Sequence, residues 1–336
     1  MIDTIYIEEE VSNHPRTKEI LRRFPKAVRI PCERYGEVFN PKSQNFRLQK
    51  KNPALILAKK FKHFVLEAPP GYGIGSENNF YFSHMLNCIY DCRYCFLQGM
   101  FRSAHLVCFV NFEDFEQAIS ETIEKHEDAH FFSGYDCDSL ALDSVTHFAR
   151  SILDFFGSYP KALIELRTKS VQIQSLLDRE VIPNCVVAFS LTPDEIAKEL
   201  EHGAPPVSRR LGAMAKLQEC GWKVGLRFDP IIYTKDYLNQ YQNLFLEAFK
   251  LVKIQQLHSV TLGPFRLPKE MYERMYRLYP GERLFAAANS ENNNLVSYKV
   301  ELEHEMIESV TQELLQYIPK QIYFPAKLKA HANGTH

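Results

Sequence analysis

The chain lacks most of the features that would take it out of the ordinary globular classes. No apolar stretch in its 336 residues approaches the length of a membrane span. The opening Met1-Ile-Asp-Thr-Ile-Tyr6 carries no basic stretch followed by an apolar run, so no secretory leader is expected. Neither charge is in excess: Lys and Arg number 40 against 41 Asp and Glu, for a net charge of −1. That balance excludes a globally basic nucleic-acid footprint, so any such contact must come from a local patch. Internal repeats and low-complexity segments are absent. Eight cysteines are too few for a disulfide scaffold in a chain this long. A cytoplasmic protein with reduced thiols is therefore expected. The histidines show no metal-ligand spacing, and the composition, 45% apolar and 24% charged, allows one large domain or two smaller ones.

Against this background one stretch stands out, Cys88-Ile-Tyr-Asp-Cys92-Arg-Tyr-Cys95. Three thiols in eight residues suit neither a strand nor a regular helix. They suit a loop whose sulfurs can converge. A structural zinc ion wants four protein ligands, and no fourth lies at knuckle spacing. Cys108 sits in the run 105–110, which reads as a buried strand. Three cysteines alone suit an iron–sulfur cluster with one iron left open, although the common ferredoxin spacings differ from this one. A non-catalytic module holding zinc on these thiols is the alternative from a different class.

Around the loop the chain falls into three parts: residues 1–80, an α/β extension; 81–265, a repeating βα region; and 266–336, a C-terminal segment. The first part reads as a strand at 5–8, a helix at 17–24 and a strand at 27–30. A basic run at 47–63 surrounds the apolar strand 55–57 and reads as a solvated edge. Lys50, Lys51, Lys59, Lys60 and Lys62 are its candidate nucleic-acid contacts. Prolines 69 and 70 and the glycines at 71, 73 and 75 mark a loop, and the strand 80–82 feeds the cysteines. Short apolar runs then follow at 105–110, 129–133, 162–167, 184–190, 222–228 and 258–263, as expected for parallel strands covered on both faces. Helical spacing separates them: Phe112, Phe115, Ile119 and Ile123 in one helix, Leu211, Met214 and Leu217 in another, with a further helix starting at Asp194 after Pro193. Six or seven such strands fall short of a closed eight-stranded barrel and fit a partial parallel barrel of the (β/α)6 type. Its chemistry is expected at the C-terminal strand ends. The last part carries one long amphipathic helix, Leu302 to Ile318, and a polar, frayed tail at 326–336. Cys32, Cys185 and Cys220 read as small core residues.

The C-x3-C-x2-C spacing, with Tyr94 just before the third cysteine, resembles the radical S-adenosylmethionine (SAM) superfamily. The resemblance implies a [4Fe–4S] cluster on Cys88, Cys92 and Cys95, and SAM chelating the open iron. Cleavage of SAM would then yield a 5′-deoxyadenosyl radical. It places Tyr94 near the adenine. It also assigns the loop Ser133-Gly-Tyr-Asp-Cys-Asp138 to the SAM amino group, with Ser133, Gly134 and Asp138 as candidates and Asp136 as a further acceptor. Lys169 is a candidate for the SAM carboxylate or a phosphate, and Ser190 for the SAM ribose or methionyl part. Arg210, at a helix start, opposes the helix dipole and so needs an anion, from Glu201 or the SAM carboxylate.

Over nearly its whole length the chain resembles the spore photoproduct lyase family. The likeness runs through the segments 5–8, 88–98, 109–111, 140–143 and 168–169, then 189–190, 201–211, 221–225 and 230–231. It implies a carbon–carbon lyase that repairs a thymine-dimer photolesion in DNA, fed by an electron donor such as flavodoxin or ferredoxin. Lys169 and Ser190 match SAM contacts by motif position. Two positions depart from the family pattern. Phe96 stands where the family has a relay tyrosine. In the loop after the 129–133 strand, Tyr135 stands at the place of the hydrogen-donor cysteine, and Cys137 falls where the family has a SAM-facing serine. Cys137 is the candidate hydrogen donor here. An enzyme of the same scaffold with another substrate is the alternative.

Overall fold

Residues 129–133 and 185–190 are buried at every position in the computed structural model of the chain. A strand buried on both faces needs partners along both edges and cover above and below, and a curled parallel sheet with helices outside supplies both. The structure describes residues 2–288 and 290–325; the tail expected to fray lies outside them.

Six parallel strands form the barrel in chain order: Asn78–Phe82, Ala129–Ser133, Leu163–Thr168, Cys185–Ser190, Lys223–Ile231 and Leu257–Pro264. Tyr323–Pro325 adds a seventh parallel strand after the sixth, and Leu66–Glu67 lies antiparallel outside the first. The expected partial (β/α) barrel is present, with one change of membership. The 105–110 run forms a strand, Leu106–Phe109, that pairs with Leu55–Ala58 in a separate N-terminal sheet. That sheet also holds Thr4–Glu8, Val28–Cys32 and the short Met85–Leu86. Being apolar at every position marks a strand as central without saying to which sheet it belongs. The chain thus enters the barrel at residue 78, returns to the N-terminal sheet at 85–109 and re-enters the barrel at 129, so the expected boundary after residue 80 falls inside this crossing.

Three further expectations change. Leu55–Ala58 is wholly buried between Thr4–Glu8 and Leu106–Phe109, so it is the centre of its sheet rather than a solvated edge. Cys32 and Cys185 are buried, but Cys220 is exposed, since it ends the helix Val207–Glu219 on the outside of the barrel. The long C-terminal helix runs over Val300–Leu314 and buries Met306, Val310 and Leu314; Ile318 packs on the core from the following turn. A small antiparallel sheet, Leu267–Pro268, Ser290–Asn292 and Leu295–Ser297, precedes it. No helix among the described residues is long and apolar enough to cross a membrane.

Candidate active site

The cysteine loop is tied down from four sides. Asn87, at φ 67°, turns the chain into the loop, and its side-chain amide donates to the carbonyls of Ser103 and His105, each at 2.8 Å. Lys50 Nζ donates to the Cys88 carbonyl at 2.6 Å. Asp91–Cys92 pairs antiparallel with Glu201–His202, and Arg93 N donates to the Leu200 carbonyl. After Cys95 the short helix Leu97–Met100 presses Gly99 against the backbone of Met271, where a Cβ would meet the carbonyl oxygen at 2.5 Å. The C-terminal segment therefore seats directly on the cysteine loop.

Cys88, Cys92 and Cys95 line one cavity of about 380 Å³. Among the described residues no three His, Cys, Asp or Glu side chains converge closely enough for a single metal ion. The three thiols on one cavity fit a cubane, where each thiolate meets a different iron, while structural zinc takes four protein ligands. Burial pushes all three thiols up, and Lys169 offsets part of that at Cys92 and Cys95.

Tyr94 is buried beneath the loop. Its hydroxyl donates to Glu201 Oε1 and lies 3.2 Å from Thr192 Oγ1. Glu201 in turn forms a fully buried ion pair with Arg210. Arg210 Nε also donates to the Pro205 carbonyl at 2.8 Å, and Nη1 to the Ser190 carbonyl at 3.1 Å. Of the two anions considered for Arg210, the structure supplies Glu201. Burial alone would raise the Glu201 carboxyl, but Lys169 and Arg210 hold it below its ordinary value. Arg210 thus acts as a brace from the fourth strand to Tyr94.

The strand-end loops meet at Asp138. Its carboxylate accepts from Leu140 N (3.0 Å), Ala141 N (2.9 Å), Thr168 Oγ1 (2.6 Å) and Lys169 N (2.7 Å). Asp138 borders the cavity, but these four donors make it a joint between two loops. Gly134, at φ +84°, lies so close to the third strand that a Cβ would sit 2.6 Å from Ser139 Oγ and 2.9 Å from the Arg167 carbonyl. Ser133 is buried behind it, bonded to Ser139 Oγ at 2.7 Å, and Asp136 accepts from Ser83 Oγ at 2.6 Å. Lys169 and Ser190 line the cavity, with Lys169 Nζ 5.4 Å from the Tyr94 ring centroid. The Lys169 charge acts on Cys92 and Glu201, and its place on the cavity lining also allows it to meet an incoming anion.

Cys137 borders the same cavity, while its thiol packs among Leu57, Met85 and Cys108, 3.9 Å from His84 Nδ1. Burial holds that thiol well above its ordinary value and pushes His84 down to about 3, so both are neutral near pH 7. Tyr135 and Phe96 also line the cavity with ring centroids 5.5 Å apart, and Tyr135 packs on Tyr81 at 4.4 Å. The two positions that depart from the family pattern therefore touch.

The five candidate lysines do not make one free basic patch. Lys50 is held by the Cys88 carbonyl, Lys59 pairs with Glu10, and Lys60 lies partly buried over Phe109, leaving Lys51 and Lys62 exposed. Sequence reading also missed a polar group on the cavity wall, Arg167 with Asp229 and Thr261, and the lining by Tyr72, Phe265 and Arg266. The strand-end position of Arg167 and Asp229 was the available signal.

The family model described as spore photoproduct lyase matches residues 76–325. The spore photoproduct lyase of Bacillus subtilis is 23% identical over 291 residues, which is 83% of each chain. That of a Geobacillus species is 24% identical over 202 residues, 59% of each chain. Among solved structures, a mutant spore photoproduct lyase with bound AdoMet and dinucleoside spore photoproduct superposes with a TM-score of 0.84 at 19% identity, covering 98% of this chain and 99% of the other. A spore photoproduct lyase complexed with dinucleoside spore photoproduct gives 0.82 at 20% identity, covering 97% and 98%. These superpositions establish the shared fold, and the family model covers most of the length over which it extends. The chain belongs to the spore photoproduct lyase family, within the radical SAM superfamily.

Proposed function

We propose that this chain repairs a thymine-dimer photolesion in DNA by radical carbon–carbon cleavage, in the cavity between the cysteine loop and the C-terminal strand ends. The observation that carries this reading is the placing of three cysteines, Lys169 and Ser190 on one cavity in a chain of this family. Cys88, Cys92 and Cys95 would hold a [4Fe–4S] cluster. Lys169 offers an ammonium to the SAM carboxylate, Ser190 a hydroxyl, and Tyr94 a ring braced by Glu201 and Arg210. When bound, the cluster and SAM supply a 5′-deoxyadenosyl radical. The walls keep that chemistry from water: Tyr72, Phe265 and Leu267 make the cavity largely apolar beyond its polar groups. Dependence on reduced thiols and on a flavodoxin- or ferredoxin-type electron donor fits a cytoplasmic location. The contact between Phe96 and Tyr135 favours a second reading, the same scaffold acting on a different lesion or substrate.

The test is anaerobic reconstitution with iron and sulfide, then measurement of 5′-deoxyadenosine and of thymine released, with and without lesion-bearing DNA. Lesion-dependent thymine release supports repair. SAM cleavage with an intact lesion moves the assignment to the second reading. Within the same assay, Cys137→Ala separates two roles. A buried, protonated thiol has a hydrogen to give, so as donor its loss leaves SAM cleavage and lesion breakage in place but diverts the product into misquenched adducts. If Cys137 only lines the pocket, SAM binding weakens and the product stays the same. Unchanged thymine yield per SAM consumed removes Cys137 from hydrogen return.

A further inference from the structure

Arg167 and Asp229 line the same cavity, and neither is among the residues assigned above to the cluster or SAM. Arg167 Nε donates to Glu165 at 3.0 Å, and Nη1 reaches Asp229 Oδ2 at 3.4 Å. Thr261 Oγ1 donates to Asp229 Oδ1 at 2.9 Å. These contacts fix both planar groups and leave each incomplete. Arg167 keeps N–H donors on Nη2, and the Asp229 carboxylate has acceptor positions left over, since four sites exist on its two oxygens. Both side chains line the cavity and are 21% and 26% exposed, open enough to reach a ligand. The Tyr72 ring lies 5.2 Å from the guanidinium and limits its movement.

The wall therefore presents a fixed acceptor beside a fixed donor. The imide edge of thymine or uracil presents the reverse, an N3–H flanked by two carbonyls. Cytosine presents a bare ring nitrogen beside an amino group, which would set a lone pair against a carboxylate. A photolesion joined through carbon leaves the imide edges free.

We infer that Asp229 and Arg167 read the imide edge of one pyrimidine ring of the lesion, Asp229 accepting from N3–H and Arg167 donating to the adjacent carbonyl. This rests on the proposed repair function and makes the pair a determinant of specificity for imide-bearing bases. A site built to hydrogen-bond an N–H discriminates strongly against an analogue that lacks it, because its own buried polar group is then left unpaired.

The test uses the reconstituted full chain and three dinucleoside lesions: unmodified, N3-methylated on the first ring, and N3-methylated on the second. One methylated isomer should lose roughly 10- to 100-fold in kcat/KM, the size of a hydrogen bond to a charged group, while the other stays close to the parent. Asp229→Asn should slow the unmodified lesion roughly 10-fold but add little to the loss already caused by the sensitive methyl group, because both remove the same contact. Equal processing of all three lesions overturns the inference, as does a methyl effect and an Asp229→Asn effect that simply multiply, which would leave Asp229 as a positioning residue for Arg167. If the wild-type protein cleaves SAM yet leaves the unmodified lesion intact, the repair function itself fails and this inference falls with it.

Discussion

Replacing Cys88, Cys92 or Cys95 with Ala is expected to abolish iron binding and SAM cleavage together. Each thiolate is expected to serve one iron, and Cys137, the other cysteine on the cavity, belongs to a different apolar cluster with its thiol 3.9 Å from His84 Nδ1, so it is not expected to take over. Cys108→Ala serves as the contrast. That side chain is fully buried in the N-terminal sheet, so its loss costs about 1–2 kcal/mol of packing and leaves the iron in place. Cys220→Ala, on the exposed end of a helix, changes neither. The measurements are iron and sulfide content after anaerobic reconstitution, and the 5′-deoxyadenosine yield. Iron lost from the Cys108→Ala protein, or retained in full by any of the three loop variants, contradicts ligation by these three cysteines alone.

The largest effect on stability is expected at Glu165. This carboxylate is completely buried inside the barrel, 2.5 Å from Arg227 Nη2, with Arg167 Nε at 3.0 Å. Arg227 also donates to the Ser259 carbonyl and hydroxyl at 3.0 and 2.8 Å, and Gly225 leaves the room its guanidinium occupies, since a Cβ there would approach Nη2 to 2.8 Å. Glu165→Gln strands the buried Arg227 charge and should destabilise the fold by about 3–5 kcal/mol. The double variant Glu165→Gln/Arg227→Met should recover much of that, because the charge left unpaired is gone. Urea unfolding of the wild type, both singles and the double closes the cycle, and simple additivity of the two singles would show that the pair does not act as a unit.

The same group sets an acid limb. Burial alone would raise the Glu165 carboxyl, but Arg227 and then Arg167 override it and hold it at about 2, below the ordinary value of 4.5. A folded-state value depressed in this way stabilises the protein above pH 4.5, and the contribution is lost as pH falls from there toward 2. The half-buried His258 adds a loss that begins higher. Burial pushes it down to about 4 from 6.5, so the unfolded chain takes up its proton first and stability declines between those values. Removing Glu165 should flatten the lower part of the limb and leave the upper part.

Local pattern in the sequence was enough to specify the cysteine loop, the alternation of apolar strands with amphipathic helices, and the strand ends that carry Lys169 and Ser190. Ligand spacing, strand burial and helical period are properties of a few consecutive residues, so they are written where they act. Membership of a sheet is different. Leu106–Phe109 is as apolar as any barrel strand, and only its pairing with Leu55–Ala58 on one side and Met85–Leu86 on the other commits it to the N-terminal sheet. Pairing of charges is decided in the same way. Arg210 has Glu201 as its partner rather than an incoming anion because Glu201–His202 docks on Asp91–Cys92 and turns that carboxylate inward, beside Tyr94. Arg167 meets Asp229 across 62 positions of sequence because the third and fifth strands lie on one curled sheet, with the fourth between them. Such contacts depend on the order and curvature of strands far apart in the chain. No window of sequence contains them, and the polar wall facing the substrate cavity therefore belongs to the tertiary structure alone.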